Sequence, residues 1–157
     1  ALSDLAQSRI GSVPDGLDRD AVLDLLMSHC IEPGISDWGV VFVTDFPPSQ
    51  VAMARCTSGG DVDVAARFEC YMCGKELANG YWEQVDADAL AAQLHAENTR
   101  RQQRGLPKRP IDERLLAAHG HGLPECAGVA LGVDRLLALK LGVNNLAETI
   151  SFGWDSA

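Results

Sequence analysis

The segment GVALGVDRLLALKLG, which begins at Gly128, restricts what this chain can build more than any other stretch. Successive side chains of a strand point to opposite faces, so Gly128, Ala130 and Gly132 leave one face bare, while Val129, Leu131 and Val133 are expected to pack on the other. Asp134-Arg135 then opens an apolar helix. An arginine in a first helical turn opposes the macrodipole unless it serves an anion. Two readings follow. Either a glycine-rich strand packs closely on a neighbour with Arg135 against a surface carboxylate, or the bare face seats a planar ring and Arg135 holds a phosphate.

At 157 residues and 46% hydrophobic, the chain can supply the core of one domain. Its formal charge of -9 argues against a general nucleic-acid binder, which needs basic surface to neutralise phosphates, although local basic patches stay open. No apolar run reaches the roughly 18 residues of a membrane span, and Ala1-Leu2-Ser3-Asp4 opens nothing like a secretory signal, so a cytoplasmic protein is expected. Five cysteines, an odd number, fit a reducing compartment better than a disulfide framework. Cys70 and Cys73 have metal or redox spacing. No second pair completes them, however, and the alternation of ARFECYMC puts them on opposite faces, so ordinary thiols are expected.

Along the chain, residues 1–16 lack periodicity and read as a lead-in. Residues 17–30 place Ala21, Val22, Leu25 and Leu26 on one helical face, and Glu32-Pro33-Gly34 is expected to stop that helix. GVVFVTDFPP, from Gly39, predicts a buried strand. Residues 50–57 form a weaker strand candidate before a Gly59-Gly60 turn. Runs at 66–73 and 76–85 straddle Gly74-Lys75 and predict an antiparallel hairpin. Asp86 starts a helix with Leu90, Ala91 and Leu94 on one face, ending near RRQQRGLPKRP, and Pro110-Ile111-Asp112-Glu113 starts another. A strand at about 127–133 feeds the last helix at Asp134. Mostly antiparallel strands interleaved with helices make the fold class α+β.

Three carboxylates recur every seven residues, at Glu69, Glu76 and Glu83. On one uninterrupted strand such positions alternate faces, so they converge only if the hairpin turn or a bulge resets the alternation. Converged, they suit a divalent cation or an ammonium group; otherwise they are solvated strand glutamates. Asn79-Gly80, between two of them, reads either as a turn or as a strand position where backbone comes close to a ligand.

These residues also carry a family resemblance. GVALGVDRLLALKLGVNNLAETISF resembles motif 3 of the class II aminoacyl-tRNA synthetases, in particular their lysine-specific branch. RFECYMCGKELANGYWE resembles that branch's two strands lining the lysine and ATP sites, and FVTDFPPSQVAMAR resembles the strand and loop before them. The similarity runs in order from about Leu25 to the C-terminus. It is closest to the elongation factor P β-lysine ligases, through Ala130 at the place of a middle glycine, through PECAGVALGVDR, and through the stop soon after SFGWDSA. The resemblance implies a class II synthetase-like antiparallel sheet flanked by helices, with residues 1–157 forming the C-terminal part of such a catalytic domain.

The roles it implies attach to matching positions. Glu69 and Glu76 hold ATP-bound magnesium, Glu76 and Leu77 contact ATP, and Asn79 and Glu83 hold the amino-acid substrate. Gly132 packs against adenine, and Arg135, the catalytic arginine of motif 3, reaches the γ-phosphate. Ala130 narrows the amino-acid end. A substrate carboxylate then attacks the α-phosphorus of ATP, giving an aminoacyl-adenylate and pyrophosphate, and the acyl group passes to an acceptor amine. Lysine or β-lysine is the implied substrate, ATP and Mg2+ the cofactors, and a lysine of elongation factor P the acceptor, with tRNA less favoured. A homodimer is compatible with the resemblance. Glu76 and Arg135 are expected to open on one cleft floored by the strand 128–132.

Two family elements have no match here. Motif 1, at the dimer interface, and motif 2, whose arginine grips the α-phosphate, are not visible; Arg67-Phe68-Glu69 is similar to the motif 2 core but stands directly before GKELANGYWE. Trp82 and Gln84 also depart from the usual aromatic-His-Glu-Leu run. Three readings remain: a truncated form of an elongation factor P lysine ligase, part of a lysyl-tRNA synthetase proper, or a non-catalytic synthetase-like binding module.

Overall fold

The protein is described by a computed structural model that places residues 1–58 and 60–153. Gly59, half of the expected Gly59-Gly60 turn, and residues 154–157 of the SFGWDSA terminus lie outside the described residues. Five strands form one sheet in the order β1-β3-β4-β5, with β2 paired to β3: β1 is Val40–Phe46, β2 Cys56–Ser58, β3 Asp63–Met72, β4 Lys75–Trp82 and β5 Ala127–Leu131. With six α-helices among the described residues, this makes the α+β class.

The described residues divide into two compact units, the first comprising residues 1–43, 69–79 and 129–153. Its N-terminal residues are more ordered in pattern than their sequence suggests. Helix α1 (Leu2–Ile10) buries Ala6 and packs on α2 (Arg19–Leu26), whose Asp18 caps the first turn by accepting from the Ala21 amide at 2.9 Å. Val22 is the buried residue of the expected apolar face. Glu32-Pro33-Gly34 does not stop the helix at Cys30. The chain widens into one π-helical turn, Met27–Ile31, and then continues as α3 (Glu32–Gly34), which holds Pro33. Helix α6 (Val133–Leu141) ends at Gly142 with φ +69°, the left-handed stop glycine adopts without cost, and buries Ala138.

The second unit comprises residues 44–68 and 80–128. Its core joins Val51, Ala54 and Ala65, with Phe46 and Tyr81 packed against them. The weak strand candidate at 50–57 resolves into a 3-10 turn, Pro48–Gln50, and the short β2, registered antiparallel on β3 with Cys56 opposite Ala65. Helix α4 (Ala87–Gln103) starts where expected, with Asp86 accepting from the Ala89 amide at 2.9 Å, and seats a fully buried Leu90. Helix α5 (Glu113–Gly120) starts later than Pro110, because Asp112 is its cap.

Two expectations about burial fail. Strand β1 is not buried: Val40 and Phe42 are 56% and 60% exposed. On β5 and at the start of α6, Val129 and Val133 are 61% and 65% exposed, and Leu131 is exposed too. Alternating apolar residues show that a strand has an apolar face, not that an element covers it. β1 and β5 stand at the two ends of the strand order, and the apolar residues named on them stay largely exposed. No helix of the described residues is long and apolar enough to cross a membrane.

Candidate functional site

In the first unit the site is built on the β3–β4 hairpin. Its turn is Cys73-Gly74, one residue earlier than the sequence suggests, with φ +51° and +69°. Positive φ at both central residues is the type I′ geometry that matches strand twist. Glycine takes it freely, and here a cysteine takes it as well. A two-residue turn sets Met72 opposite Lys75, which puts Tyr71 opposite Glu76 and on the same face as Glu69. Asn79, three residues beyond Glu76, would face away in an unbroken pleat. Its amide nevertheless donates to Glu69 Oε1 at 3.0 Å. The pleat is therefore reset by one residue between Glu76 and Asn79, where Leu77 and Ala78 are buried in succession. The turn thus resets the alternation for Glu69 and Glu76, and a second reset, inside β4, brings Asn79 to the same face.

Glu69 is 8% exposed and accepts a second bond, from the Tyr71 hydroxyl at 2.6 Å. A buried carboxylate held by a phenol and an amide has its desolvation partly offset and its orientation fixed. Beside it, Arg135 donates from Nη1 to the Glu76 backbone carbonyl at 2.9 Å and stands 3.7 Å from its Oε2. Gly132 donates its N–H to the Leu77 carbonyl at 2.8 Å, and its bare side meets that oxygen and the Arg135 side chain. Glu76, Leu77, Gly132 and Arg135, 59 positions apart at the extremes, are thus gathered by three short contacts. Glu76 and Arg135 do open on one cleft, of ≈ 360 Å³, shared with Glu32, Gly74, Lys75 and Ala138. Ala138 of α6, rather than the strand 128–132, lines it.

Glu32 is the member of this cleft that the sequence did not reveal, since EPG reads as a helix stop. Its place is fixed by the hairpin: a side chain at Gly74 would meet the Glu32 backbone carbonyl at 2.8 Å. Burial first, and then the Glu69 and Glu76 carboxylates, raise the Glu32 carboxyl above its ordinary range, against the opposing effect of Arg135 and His29. Tyr71 is pushed up as well, by burial, by its bond to Glu69 and by the nearby carboxylates. Both shifts are set first by burial and then by neighbouring carboxylates. Ala130 lies exposed on β5.

In the second unit Glu83 is pinned by its main chain. Its N–H donates to the Cys126 carbonyl at 3.0 Å, and it bridges Ala54 antiparallel. The bare side of Gly128 faces its carboxylate: a β-carbon there would lie 2.5 Å from Oε1. Gly80 is a strand position, not a turn. A β-carbon on it would meet the Phe68 ring at 2.4 Å and the Gly128 carbonyl at 2.9 Å, so the close approach comes from the protein itself. Arg55 and Glu125, 70 positions apart in sequence, join Trp82 next to Glu83, and only the anomaly at Trp82 signalled that cluster.

A family model of class II tRNA synthetases (D, K and N) matches residues 27–156. Among curated proteins, the elongation factor P–(R)-β-lysine ligase of Pectobacterium carotovorum subsp. carotovorum (strain PC1) is 47% identical over 140 residues, covering 89% of this chain and 43% of the relative. Proteins of the same name from Salmonella gallinarum and Edwardsiella ictaluri are 46% and 47% identical over equal spans. The chain therefore spans less than half the length of the curated relatives it matches. With the family match covering most of its length and falling on the hairpin and β5–α6 residues that build the cleft, this chain belongs to the class II tRNA synthetases of the D, K and N group.

Proposed function

We propose that the chain forms the C-terminal part of the catalytic centre of a ligase that activates lysine or β-lysine with ATP and passes it to a lysine of elongation factor P, in the cytoplasm. The observation that carries this reading is the hold of Glu76 on Arg135 in a cleft lined by both carboxylates and cations. A guanidinium already fixed by a backbone carbonyl, and half exposed, needs little reorganisation to meet phosphate oxygens. The relatives' printed name supplies the acceptor.

In the chemistry, the amino-acid carboxylate attacks the α-phosphorus and pyrophosphate leaves. Arg135 takes up charge on the γ-phosphate end of that leaving group. The acceptor ε-amine then attacks the acyl carbon, AMP departs, and an amide forms. Leu77 and Gly132 bound the nucleotide end. Asn79 and Glu83 take the amino-acid roles implied by the resemblance, each within its own unit, and Ala130 the selectivity role. Glu69 and Glu76 would hold Mg2+: both carboxylates lie near enough to raise the Glu32 carboxyl, and both offer hard oxygens. That fits a cation that takes one or two carboxylates and completes its shell with phosphates and water. When bound, the metal neutralises charge on the phosphates.

Lysine-dependent exchange of pyrophosphate into ATP tests the reading. The complete gene product should exchange, and Arg135→Ala should lower the rate ~100-fold or more. The 157-residue chain alone, without a motif 2 arginine, should fall as far below the complete protein. Undiminished exchange by Arg135→Ala, or by the short chain, would contradict the assignment. A lysyl-tRNA synthetase is the second reading, and Ala130 in place of glycine weighs against it.

A further inference from the structure

The departure at Trp82 has a structural partner set. The Arg55 guanidinium lies over the indole, 4.5 Å from its centroid, and pairs with Glu125 at 2.9 Å. The same Glu125 carboxylate accepts from Trp82 Nε1 at 3.0 Å, closing a three-membered ring of contacts. Arg55 also reaches the two peptide carbonyls that flank the Glu83 α-carbon. Its amide donates to the Trp82 carbonyl at 3.0 Å, and its Nε donates to the Glu83 carbonyl at 3.2 Å.

We propose that Arg55 is a positioning residue for Glu83, locking the backbone from which that carboxylate projects through the stacked indole of Trp82 and the carboxylate of Glu125. The inference rests on the reading that Glu83 holds the substrate amino group. Adjacent strand residues project to opposite faces, so Trp82 and Glu83 share one peptide but not one environment. Clamping the indole on its face fixes the rotation of that peptide and hence the direction of Glu83. From the other side, the Glu83 N–H is tied to Cys126 and its carboxylate rests on the bare Gly128. A lone exposed ion pair would contribute little. Arg55 instead combines a mostly covered side chain, a planar stack, a carboxylate pair and two main-chain bonds. Lysine cannot reproduce this set, because it lacks both the Nε–H and the flat cation. The histidine of the usual run would leave Arg55 with a smaller ring to cover. The exchange to tryptophan therefore belongs with Arg55 and Glu125 as one unit.

The test measures KM for (R)-β-lysine, for α-lysine and for ATP in pyrophosphate exchange by the complete gene product, together with melting temperatures. Arg55→Lys keeps the charge and the aliphatic stem, and should raise KM for the preferred lysine isomer about tenfold while moving KM for ATP less than about twofold. Glu125→Gln, at an exposed position, should raise the same KM by about threefold. On a Glu83→Gln background, Arg55→Lys should have no further effect, since the group it orients is already gone. A folded Arg55→Lys enzyme with unchanged amino-acid KM, where Glu83→Gln alone raises it, would overturn the proposal. So would a lowered melting temperature with both KM values intact, or an Arg55→Lys effect of full size on the Glu83→Gln background. If Glu83→Gln itself leaves the amino-acid KM unchanged, the reading of Glu83 fails first and the proposal falls with it.

Discussion

Replacing Gly128 by alanine separates function from folding more sharply than any other substitution in this chain. The new methyl carbon would stand 2.5 Å from Glu83 Oε1, whereas ordinary contact begins at 3.4 Å, so the carboxylate must retreat by about 1 Å. The next atom, Glu83 Cδ, is already at 3.6 Å and need not move. The displaced group is thus the tip of a flexible side chain, and Gly128 is not among the positive-φ glycines that resist a β-carbon. Turning the side chain off its rotamer costs ~0.5–1.5 kcal/mol, which corresponds to a drop of roughly 2–5 °C for a domain of this size. A displacement of ~1 Å at a substrate-positioning group, by contrast, commonly costs ~100-fold in rate. The expected result is a protein that melts within about 5 °C of the parent and whose kcat/KM for lysine falls 10- to 100-fold, with KM for ATP little changed. Pyrophosphate exchange at varied lysine and varied ATP, with a circular-dichroism melt, measures both. A folded Gly128→Ala enzyme with normal lysine kinetics would refute the claim that Glu83 contacts the amine.

Three further outcomes follow from the same geometry. Gly80→Ala should behave oppositely to Gly128→Ala, because its β-carbon meets, besides the Phe68 ring, the Gly128 backbone oxygen at 2.9 Å, which cannot swing away as a side-chain tip does; overpacking of this kind costs ~1–3 kcal/mol, visible as a lowered denaturation midpoint. Gly74→Ala combines a φ of +69° with a 2.8 Å approach to the Glu32 carbonyl, and should destabilise by ~1 kcal/mol for the backbone alone, with more from the clash. Bonds from Arg55 and Trp82 hold the Glu125 carboxyl below its ordinary range. A depressed carboxyl adds stability that is complete above the unfolded value of ~4.3 and is lost as pH falls through the folded one, so the melting gap between the parent and Glu125→Gln should close on acidification below about pH 4.

The hairpin, the start of α4 at Asp86 and the β5–α6 junction were legible because their signals are local: alternation, an aspartate before an apolar run, and a glycine between strands. The turn was misplaced by one residue because Cys73 accepts a left-handed conformation that sequence preference assigns to glycine. The reset inside β4 left no mark that Leu77-Ala78 would not also leave in a regular strand. Residues 1–16 lacked a periodic signal because α1 buries little more than Ala6. Exposure of β1 and β5 could not be read at all, since an apolar alternation is the same whether or not something covers it. The small residues at 128 and 132 did announce close approach. What approaches, the Glu83 carboxylate in one case and the Leu77 carbonyl with Arg135 in the other, depends on pairings across 45 and 55 positions that no local pattern encodes.

The most direct test of the central claim is the acceptor. Purified complete gene product, ATP, Mg2+ and (R)-β-lysine are incubated with elongation factor P, and in parallel with tRNA, and each acceptor is read by intact mass or acid-precipitable label. A single β-lysyl unit should be added to one lysine of elongation factor P and be lost with Arg135→Ala, and tRNA should stay uncharged. Charged tRNA beside unmodified elongation factor P would contradict the claim.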